Sequence, residues 1–598
     1  MSGYYGTLVR VNLTTGKIST ETIDRAVAGK FIGGRGLGTY YLKKEIDPKV
    51  DPLSPDNKLI FATGPLTGST MPAASRYMAI TKSPLTGTVA SSNAGGYWGP
   101  ELRFAGVDLL ILEGKAPKPA YLLIHDGKVT IHDASAYWGK LVGETTDGLL
   151  AECREPKARV LCIGPAGEHL SPIAAILNDK YRAAGRSGVG AVMGSKNLKA
   201  VVVRGTGKVA AAQPDKAEAL RKDLLALIKA NGVTGQGLPT YGTAVLVNII
   251  NESGIYPTRN FQTGVFETAN QASGEALKEK YLTGKDVCFR CPIACGRYCK
   301  ADDVEGGGPE YETLWAFSAD CGVSDLGVVI KANKWCNEYG LDTISAGATI
   351  ACAMEMVQRG ILKPGEVDGP PLQFGSGAAI VEWTRKMGAG EGLGAKMALG
   401  SYRFAELYGV PELSMSVKKQ ELPAYDPRGL QGHGLQYATS NRGGCHVRGY
   451  MISAEVLGIP EKLDPHSIEG KAKWAKLFQD LTAVIDSLGL CLFTSFAVKP
   501  DHYRDMYNVV TGRSVTTDEL LAAGERIWNM ERLFNLAAGI SPDQDTLPKR
   551  LLKEPLLEGG AKGKVHRLSE LLPEYYRERG WTPAGVPTEE KLAQLAVK

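Results

Sequence analysis

Asn337-Glu-Tyr-Gly-Leu-Asp342 returns in outline as Asp486-Ser-Leu-Gly-Leu-Cys491. Both copies close an amphipathic helical pattern at a glycine, the residue that takes a left-handed helix C-cap without strain. After the first copy a second helix begins, with Asp342 at its N-cap. Two ordinary helix ends would explain the resemblance. A turn used twice would equally suit two copies of one ligand fragment, and the second copy ends in a thiol.

Outward from these turns the chain reads as helix. Ala217, Leu220, Leu224, Leu227 and Ile228 lie at helical spacing within 215–230, and similar patterns cover 327–339, 343–359, 377–386, 467–488 and 517–537. Before Pro214 the pattern is β. Residues 5–13 alternate, 14–17 turn and 18–23 return as a hairpin; further strands are predicted at 58–63, 77–80, 107–113, 120–125, 160–163 and 200–204. The fold class is α+β: a β-rich platform domain over 1–210, then two mainly α-helical domains over 211–415 and 416–598. The seam between the last two is expected in the Pro- and Gly-rich stretch 405–430, and the tail after Ser541 is expected to wrap the surface. A chain of 598 residues exceeds what one core supports.

A net charge of +5 is too small and dispersed for a nucleic-acid or anionic-membrane partner. The longest uncharged apolar run, Thr343 to Met354, falls short of the roughly 20 residues that cross a bilayer. The first residues carry neither the basic nor the apolar segment of a signal peptide. The expected location is cytoplasmic, where thiols serve metals or redox chemistry and not disulfides.

The 72 glycines cluster between apolar segments. Gly34-Arg-Gly-Leu-Gly38 is spaced G-x-G-x-G, not G-x-G-x-x-G, and reads as a turn opening a helix over 39–44. His125 and His132 flank a turn and read as surface strand residues. Ala90–Gly99 and Tyr181–Ser195 are rich in small residues. With Arg76, Arg182 and Arg186 as charged donors they suit a phosphate-bearing ligand, or else two tight turns.

Four of the eleven cysteines fall within Asp286-Val-Cys288-Phe-Arg-Cys291-Pro-Ile-Ala-Cys295-Gly-Arg-Tyr-Cys299-Lys300. Zinc knuckles pair C-x2-C with a second pair a dozen or more residues away; here the third cysteine follows after three residues. The bacterial ferredoxin run fails at Ala294. Three close thiolates with one more would hold a [4Fe–4S] cluster. Spacing leaves two candidates for the fourth, the local Cys299 and the remote Cys491.

Together these segments resemble the aldehyde ferredoxin oxidoreductase family, the tungsten-bispterin enzymes, over nearly the whole chain. The motifs are C-x2-C-x3-C, the paired turns, Asn93-Ala94-Gly95, Gly190–Ala200, Gly308-Pro-Glu-Tyr-Glu312 and Asn441-Arg-Gly-Gly-Cys-His446-Val-Arg448. The resemblance implies tungsten, with molybdenum the lesser alternative, held by two pterins, and Mg2+ bridging their phosphates. Arg76, Asn93, Ala94, Gly95, Arg182 and Ala183 would hold phosphates and pterin edges. Asn337, Gly340, Asp342, Asp486, Leu490 and Arg448 would hold the rings from the helical side. Cys288, Cys291, Cys295 and Cys491 would hold the cluster, leaving Cys299 a packed thiol.

The implied reaction is R–CHO + H2O → R–COOH with two electrons and two protons released. His446 would polarise the carbonyl of a small aldehyde, Glu312 would act as base and Tyr311 would orient the substrate; His433 is left out of the site. Ferredoxin would take the electrons, or a dedicated iron–sulfur subunit, with or without a flavin subunit. Asn337 stands where the family pattern has Asp. No E-x-x-H is present, so no subunit-bridging iron is expected, and assembly with itself or with partner subunits stays open. Two other readings are the tungsten subunit of an aromatic acyl-CoA reductase of the benzoyl-CoA type and a cluster-only electron-transfer subunit.

Overall fold

A computed structural model describes residues 3–597. The β region holds twelve strands: β1 (Thr7–Asn12), β2 (Ile18–Thr22), β3 (Leu59–Thr63), β4 (Tyr77–Lys82), β5 (Val89–Ala94), β6 (Leu109–Glu113), β7 (Ala120–His125), β8 (Lys128–Asp133), β9 (Arg159–Cys162), β10 (Ile176–Asn178), β11 (Arg182–Ala184) and β12 (Leu198–Arg204). They form two six-stranded sheets, β2-β1-β6-β3-β4-β5 and β8-β7-β12-β9-β10-β11. The second order is the first with six added to every strand number. Directions match too: β1 and β6 are parallel, as are β7 and β12, and every other neighbouring pair is antiparallel. The platform is one sheet topology used twice.

The two sheets bury a shared core, with Val9, Val11, Phe61 and Leu110 from the first and Leu122, Ile124, Val201 and Val203 from the second. Trp98 lies between them, its indole N–H donating to Val201 O at 3.1 Å. Apolar surface removed from water on both faces holds the pair together, at about 25 cal/mol per Å². The helix Gly34–Glu45 packs on β3 and β4 of the first sheet, and Val142–Cys153 packs on β9 of the second.

That first helix corrects one expectation. The glycines of 34–38 are not a turn before a helix but its opening residues. A Cβ on Gly36 would run into Phe31 O, and one on Gly38 into the Ile80 side chain. Close packing on a strand overrides the poor helix propensity of glycine. Likewise Ala90–Gly99 contains the end of β5 and the start of the helix Trp98–Phe104, and 181–195 contains β11 and the helix Val189–Ser195.

From Pro214 the chain is mainly helical. Leu326–Tyr339 ends at Gly340 (φ 75°), and Asp342 caps Thr343–Gln358 through its side chain and Ile344 N–H, 3.1 Å. Lys471–Leu488 ends at Gly489 (φ 83°). The tail does more than wrap the surface: helix Leu568–Glu578 packs on Lys471–Leu488, and buried Arg579 donates to Gln479 Oε1 at 2.6 Å. We keep the division 1–210, 211–415 and 416–598 as a proposal. The chain around its second seam is buried from Gln420 to Cys445, so the last two units share one core. Among the described residues no single helix is long and apolar enough to cross a membrane.

Candidate active site

The two echoed turns dock on equivalent points of the two sheets. Gly340 O accepts from Ala175 N (2.8 Å), the residue before β10, and Asp342 N donates to Ile173 O (2.9 Å). Gly489 O accepts from Arg76 N (3.1 Å), the residue before β4, and Cys491 N donates to Ala73 O (3.2 Å). Between the turns and the sheet ends lies a cavity of about 540 Å³.

At the platform end the cavity is lined by arginines. Arg76 donates to Asn93 Oδ1 (3.1 Å) and Cys491 Sγ (3.2 Å). Arg182 pairs with Asp286 (3.1 Å), and Arg448 with Asp486 and Ser91 Oγ (both 2.8 Å). The Nε–H of all three is buried with no protein acceptor. An unmade buried hydrogen bond costs about 1–3 kcal/mol, so three such donors round one cavity fit an anionic ligand. Gly95 fits close approach: a Cβ there would stand 2.9 Å from Cys288 Sγ.

The turns differ in what they present. Asp342 accepts from Arg186 Nε at 3.0 Å. Asp486 accepts from Arg448 and, at 3.0 Å, from Asn93 Nδ2. Asn337 donates its amide to Gly307 O at 3.2 Å, a bond an aspartate could not make. Asn337, Asp342, Asp486 and Ala183 line the cavity, while Ala94, Gly340 and Leu490 are packed just behind it.

The cysteine loop turns through left-handed Arg290 and Ala294. Cys295 is pushed well above the ordinary thiol range by burial, then by Glu310 and by Cys491, Cys291 and Cys288, so all four thiols share one electrostatic neighbourhood. Cys288, Cys295 and Cys491 line the cavity; Cys291 stands behind. Cys299 pairs across a small sheet with Leu282, and burial pushes its thiol up, with Arg297 opposing and Glu310 adding and none of those four thiols contributing. Cys491, not Cys299, stands with the three of the loop. Among the described residues no three His, Cys, Asp or Glu side chains are set to hold a single metal ion.

At another wall, Glu312 Oε1 and His446 Nε2 face each other at 3.6 Å. Glu312 Oε2 accepts from Ala424 N (3.0 Å), while Oε1 has no hydrogen-bond partner. Burial is the main cause that pushes the Glu312 carboxyl up to about 8, against the Ala424 N–H and the Arg186 charge, which oppose it. Burial, then the positive charge of Arg186, pushes His446 well below the usual imidazole range. The contact is therefore a carboxyl group against a neutral imidazole near pH 7, not an ion pair. Tyr311 commits its hydroxyl to Ala424 O (2.9 Å), bracing the residue whose N–H holds Glu312. Apolar side chains complete the cavity, including Leu246, Leu457, Phe493 and Phe496.

Sequence reasoning missed several lining residues. Arg442, inside a quoted motif, donates to Cys445 Sγ at 3.0 Å. Tyr450 and Phe496 carried no signal; the Tyr450 ring lies 6.3 Å from that of His446, and Phe496 packs on Tyr450.

The model of the aldehyde ferredoxin oxidoreductase N-terminal domain matches residues 8–205, and that of domains 2 and 3 matches 219–597. The chain belongs to the aldehyde ferredoxin oxidoreductase family. It is an oxidoreductase. A tungsten-containing aldehyde ferredoxin oxidoreductase of Pyrococcus abyssi is 56% identical over 604 residues, all of both chains. The WOR-like subunit of an aliphatic sulfonate oxidoreductase of Pyrococcus furiosus is 30% identical, over all of this chain and 97% of that one. Among solved structures, the active-site complex BamBC of benzoyl coenzyme A reductase matches with a TM-score of 0.87 at 26% identity, covering 100% and 97% of the two chains.

Proposed function

We propose that the chain oxidises aldehydes to carboxylic acids with water as oxygen source, at a tungsten bis-pterin centre, and passes electrons through a [4Fe–4S] cluster to ferredoxin or an iron–sulfur partner subunit. The observation that carries this reading is the Glu312–His446 contact, at the wall of a cavity whose other walls bear orphaned arginine donors and three thiols. Identity above 50% to tungsten-containing aldehyde ferredoxin oxidoreductases supports it over the acyl-CoA reductase reading, whose solved relative is 26% identical.

The donor set fits the cofactors. Arg76, Asn93, Ala94, Gly95, Arg182 and Ala183 would hold phosphates and pterin edges, and Mg2+ would offset the phosphate charge. Asn337, Gly340, Asp342, Asp486, Leu490 and Arg448 would hold the rings. Cys288, Cys291, Cys295 and Cys491 would hold the cluster. When bound, the tungsten centre would supply the two-electron acceptor and the cluster the one-electron exit.

The side chains do the proton work. Neutral His446 donates a ring N–H to the carbonyl oxygen and so favours attack by water at carbon. Glu312 takes the proton of that water at the unpartnered Oε1. With its carboxyl raised to about 8, it is ionised in about a tenth of molecules at pH 7 but is then a stronger base than an ordinary glutamate. Tyr311 positions it through Ala424.

The test is anaerobic purification with metal analysis, followed by viologen reduction with benzaldehyde. Tungsten and about four irons per chain with aldehyde-dependent dye reduction are expected. Iron without tungsten, or no dye reduction with any aldehyde, overturns the reading.

A further inference from the structure

At and beyond the catalytic pair, four buried side chains each leave a polar atom without a protein partner. Glu312 Oε1 is the first. Tyr437 Oη is the second, and beyond its own burial the Glu312 charge is what perturbs Tyr437 most. The third is His433, fully buried, with neither ring nitrogen bonded. It sits one helical turn before Tyr437 in Gln431–Thr439, with ring centroids 4.4 Å apart. Its neighbour Gln436 spends its amide on Cys445 O, His446 O and Met451 N–H, so that amide is already committed. The fourth is Nδ1 of buried His566.

His566 packs against the helix beside His433: its ring fills the space that a Cβ on Gly434 would take, and Nε2 bonds Gln431 O at 2.8 Å. It also lines a second cavity, of about 650 Å³, bordered by exposed Ser541, Asp543 and Thr546. A lone buried imidazole is commonplace. Four such atoms, two of them on neighbouring turns of one helix and a third on a ring packed against that helix at an outer cavity, are not, and buried polar groups of this kind are satisfied by ordered water.

We propose that Glu312, Tyr437, His433 and His566, bridged by water, form the proton exit of this enzyme, leading from the catalytic pair to the outer cavity. The proposal rests on the aldehyde reading, in which each turnover releases two protons with the two electrons: R–CHO + H2O → R–COOH + 2 e− + 2 H+. Each proton taken at Glu312 Oε1 passes through water to Tyr437 Oη, which gives up its own hydroxyl hydrogen toward His433. The neutral imidazole accepts on one nitrogen and releases from the other. His566 accepts at Nδ1 and returns the proton to water of the outer cavity. Each group ends with the charge it began with, and His433 ends as its other tautomer. Tyr437, His433 and His566 touch no reacting atom and are positioning residues for the proton.

A high-resolution crystal structure of the holoenzyme tests the path directly. Ordered water within hydrogen-bond distance of Glu312 Oε1, Tyr437 Oη and a His433 nitrogen is expected, and a dry, close-packed contact overturns the proposal. In solution, Tyr437→Phe and His433→Ala should lower kcat by about tenfold or more, leave KM, tungsten and iron unchanged, and enlarge the solvent deuterium isotope effect. Added imidazole should restore His433→Ala. Wild-type kcat and isotope effect in both variants overturn the relay. A wild type inactive toward every aldehyde overturns the reaction instead, and the water density then decides the path alone.

Discussion

The two echoed turns bind the two halves of the platform by the same pair of backbone hydrogen bonds, yet they end in different chemistry. The first ends in Asp342, which caps a helix and pairs with Arg186. The second ends in Cys491, which accepts from Arg76 and stands with three thiols. The leading positions differ as well, Asn337 bonding a carbonyl and Asp486 three donors, Arg35, Asn93 and Arg448. A duplicated scaffold sets where a ligand sits; single side chains on each copy decide what else happens there.

The largest test of that asymmetry is at its end points. Cys491→Ala should strip most of the iron and lower dye reduction by about a hundredfold or more, while Cys299→Ala and Asp342→Asn keep the iron. Iron retained without Cys491 breaks the comparison. Next comes the group between the turns. Glu312→Gln should abolish turnover and keep both metals. In the wild type kcat/KM should climb about tenfold per unit below the Glu312 pKa of about 8 and level above it, because only the ionised carboxyl accepts a proton. A flat profile from pH 6 to 9 removes Glu312 from the role of base.

Smaller effects compare the caps. Both glycines are left-handed, so Gly340→Ala should cost about 1–2 kcal/mol. Gly489→Ala should cost more, since its Cβ would strike Thr67 Oγ1 while that of Gly340 would lie 3.0 Å from Gly164 N. Thermal unfolding ranks them, and equal losses would mean that the platform yields at the second turn. Smallest is Asn337→Asp, which restores the family pattern but loses the bond to Gly307 O. About 1 kcal/mol of stability should go, and an unchanged melting temperature would show the bond to be replaceable.

Much of this was legible before any fold was known. Periodicity gave Thr517–Ala537 to the residue, and spacing named the thiols that stand together except for the choice between Cys299 and Cys491. That choice depends on a turn folding back onto Ala73, which no local pattern records. The duplicated sheet was invisible because strand order is a matter of long-range pairing. The glycines of 34–38 misled because packing outweighed propensity. His433 was set aside for want of a motif, and only its unpartnered burial brings it forward.

One platform residue holds both ends of the thiol set. Ala73, itself left-handed, donates to Arg290 O and accepts from Cys491 N. It pins the cysteine loop to a residue about two hundred positions further on. A cluster seated on those thiols would act as a cross-link closing a very long loop, worth on the order of 5 kcal/mol in chain entropy by analogy with disulfides. Ala73 lies in the turn before β4, so the place of the fourth thiol depends on that platform turn as much as on its own helix end. Loss of the cluster should loosen the joint between platform and helices before either unfolds.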